Sequence, residues 1–238
     1  ILIGGVNYYS GQVFPMAEIV KAGHAVGAMV GFDLAHGIGN VELKLHDWQV
    51  DFAAWCSYKY LNSGPGGIAG IFVHEKHCEN PEIPRFEGWW GTRKQTRFLM
   101  QPGFDPIPTA EAWQLSNPPV FCLSALRASL SLFDQAGMDF LLQKSRALHQ
   151  FARQMLQPLA EAGLIEILTP AEPVTPGCQL SLRVKGGKAV FHALQAQNVI
   201  CDWREPDVIR IAPVPLYNQF REIAVFADLL EASIVQES

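Results

Sequence analysis

No apolar run in this sequence is long enough to cross a bilayer as a helix, and its start lacks the basic flank and small-residue cleavage pattern of a secretory signal. Cysteine is scarce and scattered. Cys56, Cys78, Cys122, Cys178 and Cys201 are odd in number and include no C-x-x-C pair, which fits a reducing, cytoplasmic setting better than a disulfide framework or a zinc site. Basic residues are too few and too dispersed for a nucleic-acid footprint or a membrane-binding patch: 18 Lys and Arg against 23 Asp and Glu give a net charge of -5. Two catalytic fingerprints are absent as well. The glycines between Gly64 and Gly70 do not form a G-x-G-x-x-G opening a helix, and no G-x-S-x-G elbow is present. The HEKHC run from His74 to Cys78 lacks H-E-x-x-H spacing and reads as a solvated strand end. An initiator methionine is also missing. The chain opens on Ile-Leu-Ile-Gly-Gly, as though in the middle of a domain.

What is present is a chain of 238 residues, 49% hydrophobic, able to bury a substantial core. Ile1 to Val6, Ala25 to Phe32, Phe52 to Cys56 and Ile68 to Val73 read as buried strands, with a helix from Pro15 to Ala22 capped by Gly23. Strands recurring around short connections and ending in polar residues predict an α/β domain with a large sheet. From His74 to Pro119 periodicity gives way to proline and glycine, as expected of loop-rich material around a site or an interface. Val120 to Ala136 and Met138 to Leu156 have helical spacing and meet at Gly137. Beyond them, strands at Leu164 to Leu168, Gln179 to Val184, Val199 to Asp202 and Val208 to Ala212, with helices at Ala189 to Gln197 and Phe220 to Ile234, predict a small α+β domain. The expected division is therefore residues 1–119 for a large domain, 120–158 for linking helices and 159–238 for the small domain.

Two residues invite a chemical reading. Lys59 follows the Phe52 to Cys56 strand and precedes a glycine-rich turn, and Asp33 ends the strand before it. Ligands of open α/β sheets sit at the carboxyl ends of strands. Pyridoxal phosphate needs a lysine for its Schiff base and a carboxylate to keep its ring nitrogen protonated, so this pair fits that cofactor. Taken singly, each also has an ordinary reading, the lysine as a surface group and the aspartate as a turn residue.

The segments GFDLAHGIGN, HDWQVDFAAWCSYKYLNSGPGGIAG, GWWG, SNPP and IRIAPVPLYN together resemble kynureninase, across nearly all of the chain. That resemblance implies the aspartate-aminotransferase-like fold of class V pyridoxal phosphate enzymes, with a mostly parallel, here partial, sheet in the large domain. It also implies hydrolysis of the Cβ–Cγ bond of kynurenine or 3-hydroxykynurenine, giving alanine and an anthranilate, in tryptophan catabolism and NAD biosynthesis. By it, Lys59 is the Schiff-base lysine, Asp33 the pyridinium partner and His36 a neighbour of the cofactor. Tyr58, Trp89 and Asn117 contact the cofactor, chiefly at its phosphate, and Arg210 clamps the substrate α-carboxylate. A planar guanidinium suits that last task better than an ammonium. Tyr9, beside Tyr8 after the first strand, is a candidate proton donor or phosphate ligand, with core packing as the other reading. The implied assembly is a homodimer acting on a small amino acid. The family's portion ahead of this first strand, which cradles the phosphate and stacks on the ring, is not in the sequence. A cysteine desulfurase or class V aminotransferase would share Asp33 and Lys59, and a truncated, cofactor-poor fragment is the non-catalytic reading.

Overall fold

The computed structural model describes residues 1–80, 82–171 and 176–237. The chain divides into two compact units. One comprises Ile1–Gly5, Pro15–Ile38 and Leu43–Leu132; the other comprises Val6–Phe14, Gly39–Glu42 and Phe133–Ser238.

The first unit is built on a four-stranded sheet in the order β1 (Leu2–Gly4), β2 (Gly31–Asp33), β3 (Phe52–Cys56) and β4 (Ala69–Val73). β1, β2 and β3 run parallel and β4 returns antiparallel beside β3, so the sheet is mostly parallel. Helix α1 (Met16–Ala25) lies between β1 and β2 in sequence and buries Met16, Val20 and Gly23. Val30, Phe32, Leu34 and Val50 are wholly buried.

Two expectations change here. The apolar run from Ala25 to Phe32 is not one strand: α1 continues to Ala25, the N–H groups of Val26 and Ala28 bond the Gly23 carbonyl, and only Gly31 to Asp33 pairs in the sheet. Short apolar runs do not separate helix from strand by pattern alone. Gly23 is not the cap but a point of close approach, since a Cβ there would come within 2.3 Å of a Val30 methyl. The second change concerns burial. β1 is an edge strand with Leu2 70% exposed, and Ala54 in β3 is exposed, so neither strand is covered on both faces.

HEKHC is likewise not a solvated strand end. Glu75–Cys78 forms a short helix, α2, N-capped by the buried His74, whose ring stacks on His46 at 4.9 Å. His77 reaches inward to Asp51, a buried carboxylate that also takes His24, Lys76 and the Val30 N–H at 2.7–2.8 Å. Burial alone would raise this carboxyl's pKa, but the bonds from Lys76, Val30, His77 and His24 outweigh it and hold the group well below the usual carboxylate range. These groups lie far apart in sequence. Asp51 pins α1, β2 and α2 to the start of β3.

Between Trp89 and Trp113 the backbone is largely irregular, with single 3-10 turns at Trp89–Gly91 and Ala110–Trp113. Helix α3 (Val120–Ala136) follows, then Gly137 and α4 (Met138–Glu161). α4 runs one turn past the expected Leu156, through Pro158, because Leu156 and Leu159 keep its apolar face on the core.

The second unit carries an all-antiparallel sheet in the order β5 (Ile165–Ile167), β6 (Leu180–Val184), β8 (Val208–Ile211) and β7 (Asp202–Arg204). Helices α4, α5 (Gly187–Ala196) and α6 (Phe220–Gln236) join it in one apolar core that includes Leu148, Leu156, Leu180, Leu182, Ile209 and Leu230. Burying each such side chain stabilises the fold by about 1.5–3 kcal/mol. The strand expected at Val199 to Asp202 is displaced to Asp202–Arg204. Val199 still bonds back to Leu194, Ile200 is fully exposed, and pairing with β8 begins only at Asp202 opposite Arg210.

Candidate active site

In the first unit, Asp33 closes β2 and lies opposite Ala54 of β3. Beyond β3 the chain bends through Ser57 to Tyr60, which puts Lys59 just past the carboxyl end of the neighbouring parallel strand. The bend is firmly built. Ser57 and Ser63, both buried, share a hydrogen bond of 2.6 Å, the Ser57 hydroxyl also donates to the Ile68 carbonyl, and the Asn62 N–H closes on the Lys59 carbonyl. Gly67 has to be glycine: a Cβ would fall 1.9 Å from the Ser63 hydroxyl. Ser129 of α3 donates to the Leu61 carbonyl and anchors the turn from outside.

The Lys59 Nζ lies 3.1 Å from His36 Nε2 and 5.9 Å from the centre of the Tyr58 ring. The His36 ring meets Tyr60 edge-on at 6.1 Å. Asp33 is exposed; its Oδ1 accepts the Ala35 N–H at 2.8 Å, and among the described residues no cation pairs with it. Tyr58 is 52% exposed, and its phenol pKa is raised, first by hydrogen bonding with Cys56. The geometry thus brings Lys59, His36 and Tyr58 together and places Asp33 at the end of the adjacent strand.

Trp89 and Asn117 fall on two segments that touch. Gly88 packs against the Leu115 backbone, where a Cβ would come within 2.2 Å, and the Trp90 N–H reaches the Leu115 carbonyl. Trp89 stands edge-on to Trp90 at 5.1 Å, with the Arg97 guanidinium 4.7 Å from the centre of the Trp90 ring. Asn117 is exposed and accepts the Ser116 hydroxyl at 3.1 Å. A cavity of about 590 Å³ in this unit, lined by Cys78, Arg85 and Arg93 among others, includes none of these candidates.

Arg210 and Tyr9 belong to the second unit. Arg210 sits on β8 between Ser181 of β6 and Asp202 of β7, and its side chain is only 13% exposed. It donates from Nη1 to the Tyr8 carbonyl at 2.7 Å and from Nη2 to Asp202 Oδ2. The Tyr9 hydroxyl donates to Asp207 at 3.1 Å, and Asp207 is also held by Arg183. Burial and then the Asp207 carboxylate raise the Tyr9 phenol pKa, so Tyr9 keeps its proton at neutral pH. The backbone of this Tyr8–Tyr9 strap is fixed as well: Gln179 Nε2 and the Ser181 hydroxyl donate to its carbonyls.

Pattern reading did not find Asp51, Asp202, Asp207 or the paired serines. Asp202 did leave a signal, an acid eight positions before Arg210, at the end of the strand predicted before Arg210's own.

Comparisons with known proteins give the chain its relatives. Residues 141–230 match the family model described as the kynureninase C-terminal domain. The chain is 56% identical over 236 residues to a kynureninase of Xanthomonas oryzae pv. oryzae, covering 98% of this chain and 55% of that protein. It is 52% identical over 240 residues to the kynureninase of Christiangramia forsetii, covering 100% and 56%. The chain therefore spans about half the length of the curated relatives it matches. Among solved structures it resembles the cysteine desulfurase CsdA of Escherichia coli, with TM-score 0.79, 16% identity, and 99% and 59% of the two chains covered. It also resembles a complex of the cystine C-S lyase C-DES with cysteine persulfide, with TM-score 0.77, 22% identity, and coverage of 96% and 60%. At such identities these structures show a shared fold alone.

Proposed function

We propose, from the premise that this chain is similar to kynureninases over nearly all of its length, that it serves the hydrolysis of L-kynurenine or 3-hydroxy-L-kynurenine to L-alanine and the corresponding anthranilate. The observation that carries this reading is the Lys59 amine beside His36 just past the end of β3, with Asp33 closing the adjacent parallel strand.

The residues fit pyridoxal phosphate. Asp33 is not engaged in an ion pair among the described residues, so its carboxylate remains able to hold a protonated ring nitrogen. When bound, that cofactor supplies an electron sink for carbanion chemistry at the substrate. Lys59 is the covalent anchor and the base that moves a proton at the substrate Cα. Tyr58, the Trp89 indole N–H and the Asn117 amide are donors suited to phosphate oxygens. Arg210 supplies a planar fork for the substrate carboxylate, and Tyr9, kept protonated, is a proton donor. In this reading residues 1–119 carry the lysine side of the chemistry, 159–238 carry Arg210, and helices 120–158 join them. By the same resemblance the working form is a homodimer acting on a small amino acid, and the scattered cysteines fit a reducing, cytoplasmic setting; among the described residues no helix is long and apolar enough to cross a membrane.

Two measurements test the reading. Borohydride reduction in the presence of pyridoxal phosphate should leave a pyridoxyl group on the Lys59 peptide, found by mass. Anthranilate fluorescence should report kynurenine cleavage, falling by about 10²–10⁴-fold or more in Lys59→Ala. A fully active Lys59→Ala protein refutes the assignment. A labelled Lys59 without anthranilate release points instead to the desulfurase or aminotransferase chemistries, which share Asp33 and Lys59.

A further inference from the structure

Arg210 is held unusually tightly for a residue meant to meet a ligand. One arm of its fork is tied to the Tyr8 carbonyl, the other to the Asp202 carboxylate, and the side chain between them is almost buried. Asp202 stands directly across the β7–β8 pair from it and is shared, through the same Oδ2, with Arg204 at 2.8 Å. A guanidinium has more N–H groups than these two contacts use, and because the group is planar, fixing two of its donors fixes the direction in which the rest point. Binding loses less entropy when the recognising group is already immobile.

We propose that Asp202 is the positioning residue of Arg210: together with the Tyr8 carbonyl it locks the guanidinium, leaving the other donors arranged for the α-carboxylate of an amino-acid ligand. This rests on the reading of Arg210 as the carboxylate clamp. The Tyr8 carbonyl cannot replace Asp202, because it is a neutral acceptor already shared with Gln179. Arg204 does not compete for the role, since it meets Asp202 from a half-exposed position on the strand's end.

The test uses the full chain and two ligands that lack a cleavable Cβ–Cγ bond, L-alanine and L-alaninamide, with affinities measured by calorimetry in the presence of pyridoxal phosphate. The native protein should prefer the carboxylate. Arg210→Gln should abolish that preference. Asp202→Asn should reduce it about tenfold while leaving alaninamide binding unchanged, as expected for coupled residues in contact. Asp202→Glu should recover part of the loss, Arg204→Gln should leave the preference intact, and the double variant Asp202→Asn/Arg210→Gln should behave as Arg210→Gln alone. If Arg210→Gln loses the preference but Asp202→Asn keeps it, the positioning role is overturned and the clamp stands. If Arg210→Gln keeps it, the clamp and the role both fall.

Discussion

The two units hold their candidate residues by opposite means. In the first, Lys59, Asp33 and Tyr58 lie at strand ends with few restraints on their side chains, while the ionic cluster around Asp51 is at the other end of β3. In the second, carboxylates engage the candidates themselves: Asp202 pairs with Arg210, and Asp207 accepts the Tyr9 hydroxyl. The first arrangement fixes a backbone and leaves side chains able to exchange partners, which suits the bonding and release proposed for the Lys59 amine. The second fixes the side chain itself, which suits the carboxylate recognition proposed for Arg210.

Removing Asp51 should break this contrast most visibly. Asp51→Ala leaves His77 and the Val30 N–H without their buried partner and should destabilise the chain by about 3 kcal/mol. That is the lower end for a broken buried ion cluster, because Lys76 and His24 are each about one-third exposed and can turn to water. Denaturant unfolding checks it. Hydrogen exchange should show the loss concentrated in α1, β2 and α2, and a uniform loss over both units would contradict the local role.

Acid should then separate the units by pH. His149 of α4 is buried between Arg153 and the Gly177 carbonyl, and burial, followed by the nearby Arg153 charge, lowers its pKa to about 4. Unfolded, the same ring titrates at about 6.5. Below that value the unfolded state takes a proton that the folded state refuses, so stability falls as pH drops from about 6.5 to about 4, by roughly 3 kcal/mol in all. Asp51 acts in a lower window. Its contribution is complete above the ordinary carboxylate range and is lost only as pH falls below about 3.9, where the unfolded carboxyl protonates first. Acidification should therefore loosen the second unit before the first, and His149→Gln should flatten the upper part of the profile in a pH series of melting midpoints.

The smallest effect should come from Tyr9→Phe. Its bond to Asp207 is partly buried and neighbours Arg183, so its loss should cost about 1 kcal/mol or less. If Tyr9 donates a proton in the reaction, turnover falls far more than stability does. Equal small losses in both would leave Tyr9 a tether of the strap.

Patterns confined to a few neighbouring residues were the legible ones. Phe52–Cys56 could be read to the residue because an apolar run ends abruptly in Ser-Tyr-Lys-Tyr, and so could α3 and the start of α4, because Gly137 interrupts two helical stripes. Asp33 and Lys59 stood out because each follows a strand, whereas Arg210, midway along a strand, stood out only through the family motif around it. What could not be read was set by tertiary contact. Nothing local says that Gly23 must lie on Val30, that His24 and His77 meet one carboxylate, or that pairing with β8 pulls β7 three residues past Val199. A pattern read one segment at a time misses bonds between segments.

The Tyr8–Tyr9 strap has a practical consequence for dissecting the gene. It is encoded between β1 and α1, yet its carbonyls satisfy Gln179 and Ser181, both buried in the second unit. A clone starting at Phe133 would encode the whole antiparallel sheet but not the acceptors for those side chains, nor Asn40, whose amide oxygen takes the Cys178 N–H. The C-terminal half is therefore not a cassette that one cut can liberate, and expressing it alone should yield a sheet with unmet donors in its interior.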